Sequence, residues 1–323
     1  MNILITGAAG FIGSNLVEFH LKRGDEVYGV DNLSTGRLEN LESFKDNPKF
    51  HFYEDDILTF QELPQILLKV ERVYHLAAVL GMFRVLEHPV MTLEANLKTT
   101  DYLLELLRPM KQRPRVMIAS SSEVYGNQPG YLDEDKTLLL ESTSKNHASY
   151  PISKLCNESM GLAYYHELEV PCIIVRLFNT IGKRQSARYG MVVPRFIKQA
   201  CKNEPITIFG DGTQTRSFCD VRDTVNLLHL LIEHPKTIGE IINVGNDEFI
   251  TIQFLAEQIK SLANSQSEII YIPYEEAYHG GYIDIQERHI DTRKMQSFVN
   301  YQYQYSLSDT LLDLIGHYKY EKQ

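Results

Sequence analysis

The chain has 323 residues, of which 43% are hydrophobic and 23% are charged, and its formal net charge at pH 7 is −10. This length and composition predict a packed protein of one large domain or two lobes, and they exclude disordered and fibrous chains. The acidic balance argues against nucleic acid or an anionic membrane as a partner. The four cysteines match neither a CxxC pair nor a zinc pattern, so we expect no metal site.

The N-terminal residues are apolar, but the run stops at Gly7 and does not have the pattern of a signal peptide. No apolar run approaches the roughly 18 residues that a membrane-spanning helix needs. We therefore expect a cytoplasmic protein without a membrane partner.

The first half of the chain alternates short apolar strands with amphipathic helices, which is typical of a parallel sheet covered on both faces. The predicted strands are Asn2–Thr6, Glu26–Val30, Lys49–Tyr53, Arg72–Leu76, Arg115–Ala119 and Cys172–Leu177. The predicted helices are Phe11–Arg23, Phe60–Lys69, Met91–Leu107 and Tyr150–Leu168. The fold class is therefore α/β, with a doubly wound parallel sheet of the Rossmann type.

The pattern loosens after about Asn179, where we expect a smaller C-terminal lobe. Its predicted elements are a loop at Gly182–Tyr189, helices at Pro194–Lys202, Asp220–Glu233, Thr251–Ala263 and Ser308–Tyr320, and strands at Ile206–Phe209 and Ile241–Val244. We expect the strand Ile241–Val244 to rejoin the first sheet. The predicted division is therefore residues 1–178 for the first domain, rejoined by about 220–248, and residues 179–323 mainly for the second lobe.

A glycine-rich segment, Thr6–Gly13, lies between the first strand and the first helix. Gly7 allows a tight turn, Gly10 lets a phosphate approach the backbone, and Gly13 lets the helix pack closely on the strand. The helix N-terminus then faces the phosphates of a dinucleotide. Because the spacing is GxxGxxG rather than the commoner GxGxxG, the three glycines alone are weak evidence.

Asp31 ends the second predicted strand, eighteen residues after Gly13. An acid near this spacing binds the adenosine ribose diol of a dinucleotide and repels a 2′-phosphate. The next residue is Asn32 rather than an arginine that would hold such a phosphate, so NAD is favoured over NADP. Asp56 and Ile57 follow the third strand, where we expect the adenine edge.

Tyr150 and Lys154 share one face at the start of a predicted long helix. The lysine ammonium is expected to lower the pKa of the tyrosine, and a phenolate near neutral pH is a competent base for the hydroxyl proton of an alcohol. The hydroxyl run Ser120–Ser122 ends an apolar strand, at the edge of a parallel sheet where ligands bind. Together these features predict an enzyme that oxidises an alcohol with NAD.

These residues resemble the extended short-chain dehydrogenase/reductases, specifically the nucleotide-sugar epimerase/dehydratase/decarboxylase group. The resemblance covers nearly the whole chain, and its matching segments are Thr6–Gly13, Asp31–Asn32, His75–Ala78, Ser120–Gly126, Tyr150–Lys154, Arg176–Asn179, Phe209–Phe218 and Asn243–Asn246. The resemblance implies a nucleotide-sugar substrate held by the C-terminal lobe. It also implies a homodimer in which Met91–Leu107 and Tyr150–Leu168 pair with a second copy as a four-helix bundle.

The resemblance assigns a role to each matching position. Tyr150 is the base toward the sugar 4-hydroxyl, Lys154 also holds the nicotinamide ribose, and Ser121 bridges Tyr150 and the sugar. The positions around NAD are Gly7, Gly10, Phe11, Ile12, Gly13, Asp31, Asn32, Asp56, Ile57, Leu76, Ala77, Ala78, Tyr150 and Lys154. The groups that hold the nucleotide diphosphate are Asn179, Arg216 and Arg288, whose guanidinium forks suit phosphate oxygens.

The reactions of this group share a 4-keto sugar intermediate and differ in the step that follows. The segment Ser121-Ser122-Glu123 lacks the Asp-Glu pair of 4,6-dehydratases but resembles UDP-glucuronate decarboxylases, in which Glu123 would act on the C5 proton or on carboxylate loss. UDP-glucuronate decarboxylation is therefore our first interpretation and 4-epimerisation of a UDP-sugar the second, with 4,6-dehydration behind both. A remote alternative is a non-catalytic NAD sensor, which usually loses the tyrosine or the lysine.

Overall fold

The computed structural model describes residues 1–79, 82–186, 191–277 and 285–320. The predicted loop Gly182–Tyr189 therefore lies partly outside the described residues. The strands are β1 (Asn2–Thr6), β2 (Glu26–Asp31), β3 (Phe50–Glu54), β4 (Arg72–His75), β5 (Arg115–Ser121), β6 (Tyr131–Leu132), β7 (Cys172–Leu177), β8 (Thr180–Ile181), β9 (Ile206–Phe209), β10 (Thr215–Ser217), β11 (Cys219–Asp220), β12 (Ile241–Val244), β13 (Phe249–Thr251), β14 (Ile269–Ile272) and β15 (His289–Ile290).

The helices alternate with the strands in the first half of the chain and dominate its last third. They are α1 (Phe11–Lys22), α2 (Leu63–Leu67), α3 (Met82–Glu87), α4 (Pro89–Leu107), α5 (Ser149–Leu168), α6 (Val192–Cys201), α7 (Val221–Glu233), α8 (Ile252–Leu262), α9 (Tyr274–Ala277), α10 (Arg293–Val299) and α11 (Leu307–Tyr320). Within the described ranges, none of these helices has both the length and the apolar character needed to cross a membrane.

One parallel sheet organises the chain. Among the described residues it has seven strands in the order β12-β7-β5-β4-β1-β2-β3. The chain runs outward from β1 in one direction and then returns to place β4 on the other side of β1. This reversal creates a crevice at the carboxyl ends of β1 and β4, where ligands of such sheets bind. The predicted α/β class is confirmed, and Ile241–Val244 pairs in parallel with β7 at one edge.

Apolar side chains fill both faces of this sheet. One core packs α1, α7 and α10 on one face and contains Leu16, Leu228 and Met295. The other core packs α2, α4 and α5 on the opposite face and contains Leu63 and Leu104. Because both faces are covered, the strands are continuous apolar runs. These runs are the pattern from which the strands of the sheet were predicted.

A separate core holds the C-terminal lobe together. Helices α6, α8 and α11 pack around β9 through Phe196, Ile208, Leu255 and Leu311. Short two-stranded sheets complete the lobe: β14 pairs with β9 in parallel, and β10 pairs with β13 in an antiparallel manner. The strand β15 pairs with β6, so the end of the lobe returns to the segment that follows β5.

Candidate active site

The glycine loop joins β1 to α1 and lies against the end of β4. Gly7 has a φ of +73°, and a side chain there would meet the Ala77 amide nitrogen at 3.0 Å. A methyl group at Gly13 would come within 2.0 Å of the Gly7 carbonyl oxygen. Only glycine therefore lets the first turn of α1 approach β1 this closely, and the helix N-terminus faces the crevice as an anion site.

Asp31 lies beside this loop and is buried. Its carboxylate accepts hydrogen bonds from the amides of Ala9 at 2.9 Å and Leu33 at 2.8 Å. Burial raises its pKa, while these backbone bonds lower it in part. Each carboxylate oxygen keeps a second lone pair, so Asp31 can also accept two ribose hydroxyls. Asn32 donates to the Asp56 carboxylate at 2.8 Å, which joins the ends of β2 and β3.

A cavity of about 470 Å³ follows the crevice from Asp31 to the start of α5. Its lining includes every position that the sequence assigned to NAD: Gly7, Gly10, Phe11, Ile12, Gly13, Asp31, Asn32, Asp56, Ile57, Leu76, Ala77, Ala78, Tyr150 and Lys154. The open helix N-terminus fits a pyrophosphate, and Asp31 fits a ribose diol. The residues that line this cavity therefore fit NAD. The role of each individual residue in binding NAD is our proposal.

A second cavity of about 440 Å³ continues toward the C-terminal lobe. Its lining includes the substrate positions and three of the four catalytic positions: Ser121, Glu123, Tyr150, Asn179, Arg216 and Arg288. The fourth catalytic position, Lys154, lines the first cavity. Ser120 and Tyr150 line both cavities. The phenol therefore lies where a cofactor in the first cavity and a substrate in the second would meet.

Tyr150, Ser121 and Lys154 are brought together by β5 and the first turn of α5. The Ser121 side chain hydrogen-bonds to Tyr150, and this bond lowers the tyrosine pKa. Burial raises that pKa more strongly, and the charge of Glu123 raises it further, so the net shift is upward. The net shift of the Tyr150 pKa is therefore opposite to the predicted lowering, because burial outweighs the bond to Ser121. The Lys154 Nζ atom donates to the Ala119 carbonyl at 2.8 Å.

Lys154 itself is 4% exposed. Burial lowers its pKa to about 8, and the nearby charge of Glu158 acts in the opposite direction. An ammonium with this pKa is still largely charged at neutral pH. It lies 5.9 Å from the centre of the Tyr150 ring, close enough to stabilise a phenolate when one forms.

Glu123 and Arg288 form an ion pair that the sequence did not predict. The Arg288 Nη1 atom lies 3.2 Å from Glu123 Oε1 and 3.5 Å from the Ser122 hydroxyl oxygen. Glu123 belongs to the turn after β5, whereas Arg288 immediately precedes β15, and the pairing of β15 with β6 brings them together. An arginine assigned to the diphosphate thus contacts the acid assigned to the sugar.

Asn179 and Arg216 lie together on the side of the C-terminal lobe. Asn179 Nδ2 donates to the Ser217 carbonyl at 3.1 Å, and Arg216 donates to the Thr215 carbonyl at 2.8 Å. Both side chains are therefore anchored on β10, which orients a guanidinium and an amide toward one cavity. This pair suits the oxygens of a diphosphate.

Asn96 is a residue of the site that the sequence did not single out. Its side chain accepts from the Val79 amide at 2.7 Å and donates to the Ser153 hydroxyl at 3.0 Å. Ser153 in turn donates to the Tyr150 carbonyl at 2.7 Å. Asn96 thus ties the segment after β4 to the first turn of α5. The available signal was an amide on the buried face of a predicted amphipathic helix, which requires a polar partner.

Comparison with known proteins places these features in a family. A model of the NAD dependent epimerase/dehydratase family matches residues 3–245. A UDP-N-acetyl-alpha-D-glucosaminuronate decarboxylase of Bacillus cytotoxicus is 36% identical over 92% of this chain and 91% of that protein. UDP-glucuronic acid decarboxylase 1 of Arabidopsis thaliana is 32% identical over 99% of this chain and 70% of its own.

A solved structure gives the same result for the fold. The UDP-glucuronic acid 4-epimerase of Bacillus cereus, in complex with UDP-glucuronic acid and NAD, superposes with a TM-score of 0.87. It is 30% identical, and the match covers 99% of this chain and 100% of that one. The resemblance predicted from the sequence is thereby confirmed, together with the enzyme class and NAD as cofactor. The chain belongs to the NAD-dependent epimerase/dehydratase family.

Proposed function

We propose that this enzyme decarboxylates a UDP-linked uronic acid through a 4-keto intermediate, with UDP-glucuronate as the first candidate substrate. One observation carries the proposal. The Glu123–Arg288 ion pair lines the same cavity as Ser121 and Tyr150. A 4-epimerase that acts on a uronic acid keeps the carboxylate and the C5–H bond intact, whereas a decarboxylase must release the carboxylate and then protonate C5.

The first step is oxidation at the sugar C4. NAD, when bound, supplies the acceptor for the C4 hydride. Tyr150 removes the proton of the 4-hydroxyl, and Ser121 relays the hydrogen bond between the phenol and the sugar. Burial opposes the phenolate that this step needs, so the Lys154 ammonium must offset that cost through its charge.

The second step is loss of carbon dioxide. The C4 ketone is β to the C5 carboxylate, so the C5–C6 bond breaks and its electron pair moves to the C4 oxygen as an enolate. The Tyr150 and Ser121 hydroxyls then donate to this oxygen, as an oxyanion site does. We place Glu123 and Arg288 at C5, where the carboxylate leaves and a proton arrives. Tyr150 would then return its proton to the 4-oxygen, so that UDP-glucuronate yields a UDP-pentose with no net oxidation.

The decisive experiment incubates the purified protein with UDP-glucuronate and, separately, with UDP-N-acetylglucosaminuronate. The proposal expects carbon dioxide and a UDP-sugar that has lost its carboxylate from at least one of them. Recovery of a C4-inverted uronate without carbon dioxide would instead establish the 4-epimerase. That second candidate is favoured by the close superposition on the Bacillus cereus 4-epimerase.

A change at Glu123 separates the two steps. In Glu123→Gln we expect oxidation to continue while carbon dioxide release falls by about 10²–10⁴-fold, the range for loss of one acid–base group. Reduced cofactor and 4-keto sugar should then accumulate, visible as NADH absorbance. Equal loss of oxidation and decarboxylation would contradict the assignment of Glu123 to the C5 side of the reaction.

We also propose a homodimer built on α4 and α5. These two long helices pack side by side, and α4 begins with Val90 68% exposed and Met91 36% exposed. A second copy would cover such apolar side chains as a four-helix bundle. Sedimentation of the full chain should give twice the monomer mass, and a monomer at all concentrations would contradict the dimer. The cytoplasmic location and the division at residue 178 likewise remain predictions.

A further inference from the structure

Glu158 is a buried carboxylate one helical turn after Lys154, and it is only 4% exposed. It receives a hydrogen bond from the Ser120 hydroxyl at 2.5 Å. Arg176 binds it with two nitrogens, Nε at 2.9 Å and Nη2 at 2.8 Å. Two side chains, one from β5 and one from β7, therefore converge on a carboxylate of α5.

The charges of this region explain why a carboxylate is needed there. Lys154 and Arg176 are both buried cations, and Arg176 also stacks on the Tyr125 ring with its guanidinium carbon 4.7 Å from the ring centre. A buried cation has lost its hydration and needs an anion nearby to offset that cost. Glu158 neutralises Arg176 directly and lies on the same helix face as Lys154.

We propose that Glu158 is a positioning residue that keeps the Lys154 ammonium charged and fixes Ser120 where the two cavities meet. The proposal builds on the role of Lys154 in the proposed function. Ser120 lies in both cavity walls next to the bridging Ser121, so a carboxylate that holds Ser120 also holds the end of β5. Glu158 itself lines neither cavity and would act through these neighbours.

The titration of Lys154 follows from the groups that face it. Tyr150 and Glu158 face it from its own helix, and His75 faces it from β4. The pair Glu94–Lys98 on α4 lines the same cavity but is exposed. Burial lowers the pKa of Lys154 to about 8, and Glu158 is the charge that raises it. Without this carboxylate, Lys154 loses its proton at a lower pH.

The experiment measures Lys154 directly in the full chain, by NMR titration of its labelled ammonium. In Glu158→Gln we expect the Lys154 pKa to fall by about one unit, because the charge that raises it is removed. Ser120→Ala is the matched control, because it removes a hydrogen bond to Glu158 but leaves the carboxylate. The control should keep a Lys154 pKa near that of the unmodified protein.

Two further measurements make the result decisive. If Glu158→Gln fails to fold, the double variant Glu158→Leu with Arg176→Leu removes both charges of the pair, which buried pairs tolerate better than loss of one partner. The Lys154 pKa must fall in that variant as well. The pH at which NAD affinity declines on the alkaline side should shift with it, whereas a purely structural role would lower affinity at every pH.

An unchanged Lys154 titration in both variants overturns the role of Glu158. Neither the NMR titration nor the NAD measurement uses a nucleotide sugar, so a failure of the proposed decarboxylation is a separate result. A lowered Lys154 pKa combined with no turnover of any UDP-uronate would keep the inference about Glu158 and reject the proposed substrate.

Discussion

At the scale of single residues, Tyr150 lines both cavities, and its hydroxyl group is the part of the site that a single substitution can remove. Tyr150→Phe removes one hydroxyl and leaves the apolar ring in place. We expect kcat to fall by about 10²–10⁴-fold, the contribution of a general base, while NAD still binds with nearly unchanged affinity. Calorimetric titration with NAD and a turnover assay together check this. A variant that retains kcat would show that another group removes the proton.

A substitution at Gly13 is expected to weaken NAD binding. A methyl group there would lie 2.0 Å from the Gly7 carbonyl oxygen, so Gly13→Ala must push α1 away from the loop. We expect NAD affinity to drop by at least about tenfold because the helix N-terminus no longer reaches the pyrophosphate.

The matched control for this change is Gly316→Ala. Gly316 lies inside α11, where, among the described residues and apart from its own stretch of helix, no atom lies within 4 Å of a new methyl group. Glycine costs a helix roughly 0.5–1 kcal/mol relative to alanine, so this control should bind NAD normally and melt at a slightly higher temperature. Equal behaviour of the two variants would contradict the close packing of Gly13.

At the scale of elements, the strand β13 and the helix α8 meet at Thr251. Its hydroxyl accepts the Phe254 amide at 3.1 Å as the N-cap of α8, and its backbone pairs with Thr215 of β10. Thr251→Ala should lower the free energy of unfolding by about 1 kcal/mol, as measured by urea denaturation. Thr251→Ser keeps the capping oxygen and should recover most of this stability, which distinguishes the cap from the packing of the threonine methyl group.

Helices and strands with a strong pattern of apolar residues were predictable from the sequence. The strands Asn2–Thr6, Cys172–Leu177, Ile206–Phe209 and Ile241–Val244 have the predicted bounds, because each is an apolar run that the sheet buries. The predicted helix Phe60–Lys69 is only Leu63–Leu67 in the structure. Pro64 lies in its first turn and lacks the amide that would extend the helix toward residue 60.

The short elements of the lobe were not predictable for a different reason. Strands β10 and β15 have three and two residues, too few for a periodic pattern, and each exists because of a partner distant in the sequence. The same applies to the site. The glycine loop and the Tyr150–Lys154 pair are local patterns, whereas the contact of Arg288 with Glu123 joins positions 165 residues apart.

At the scale of the whole molecule, two buried histidines link folding to pH. His20 is fully buried between Asp25 and Tyr74, at 2.9 Å and 3.2 Å, and burial lowers its pKa to about 4. His75 lies between the hydroxyls of Thr6 and Thr100, and burial lowers its pKa to about 3. Both imidazoles therefore stay neutral in the folded protein at a pH where an unfolded chain would protonate them.

The direction of the pH dependence follows from this difference in bound protons. The ordinary histidine pKa is near 6.5, so between about pH 6.5 and pH 4 the unfolded chain binds more protons than the folded one. The contribution of the two neutral histidines to the free energy of unfolding is therefore fully present above pH 6.5, and it is lost as the pH falls toward 4. Urea denaturation at a series of pH values should give a free energy of unfolding that decreases steadily across this window.

Substituting one buried and one exposed histidine tests whether burial causes this dependence of the free energy of unfolding on pH. His20→Gln removes one buried imidazole, so it should be less stable than the unmodified chain at pH 7.5 but should lose less stability on acidification. His166 is exposed on α5, and His166→Gln should keep the original slope. If the two variants show the same slope in this window, burial of His20 is not its cause. Carboxylates such as Asp25, whose pKa is lowered in the fold, lose their contribution to stability only at lower pH.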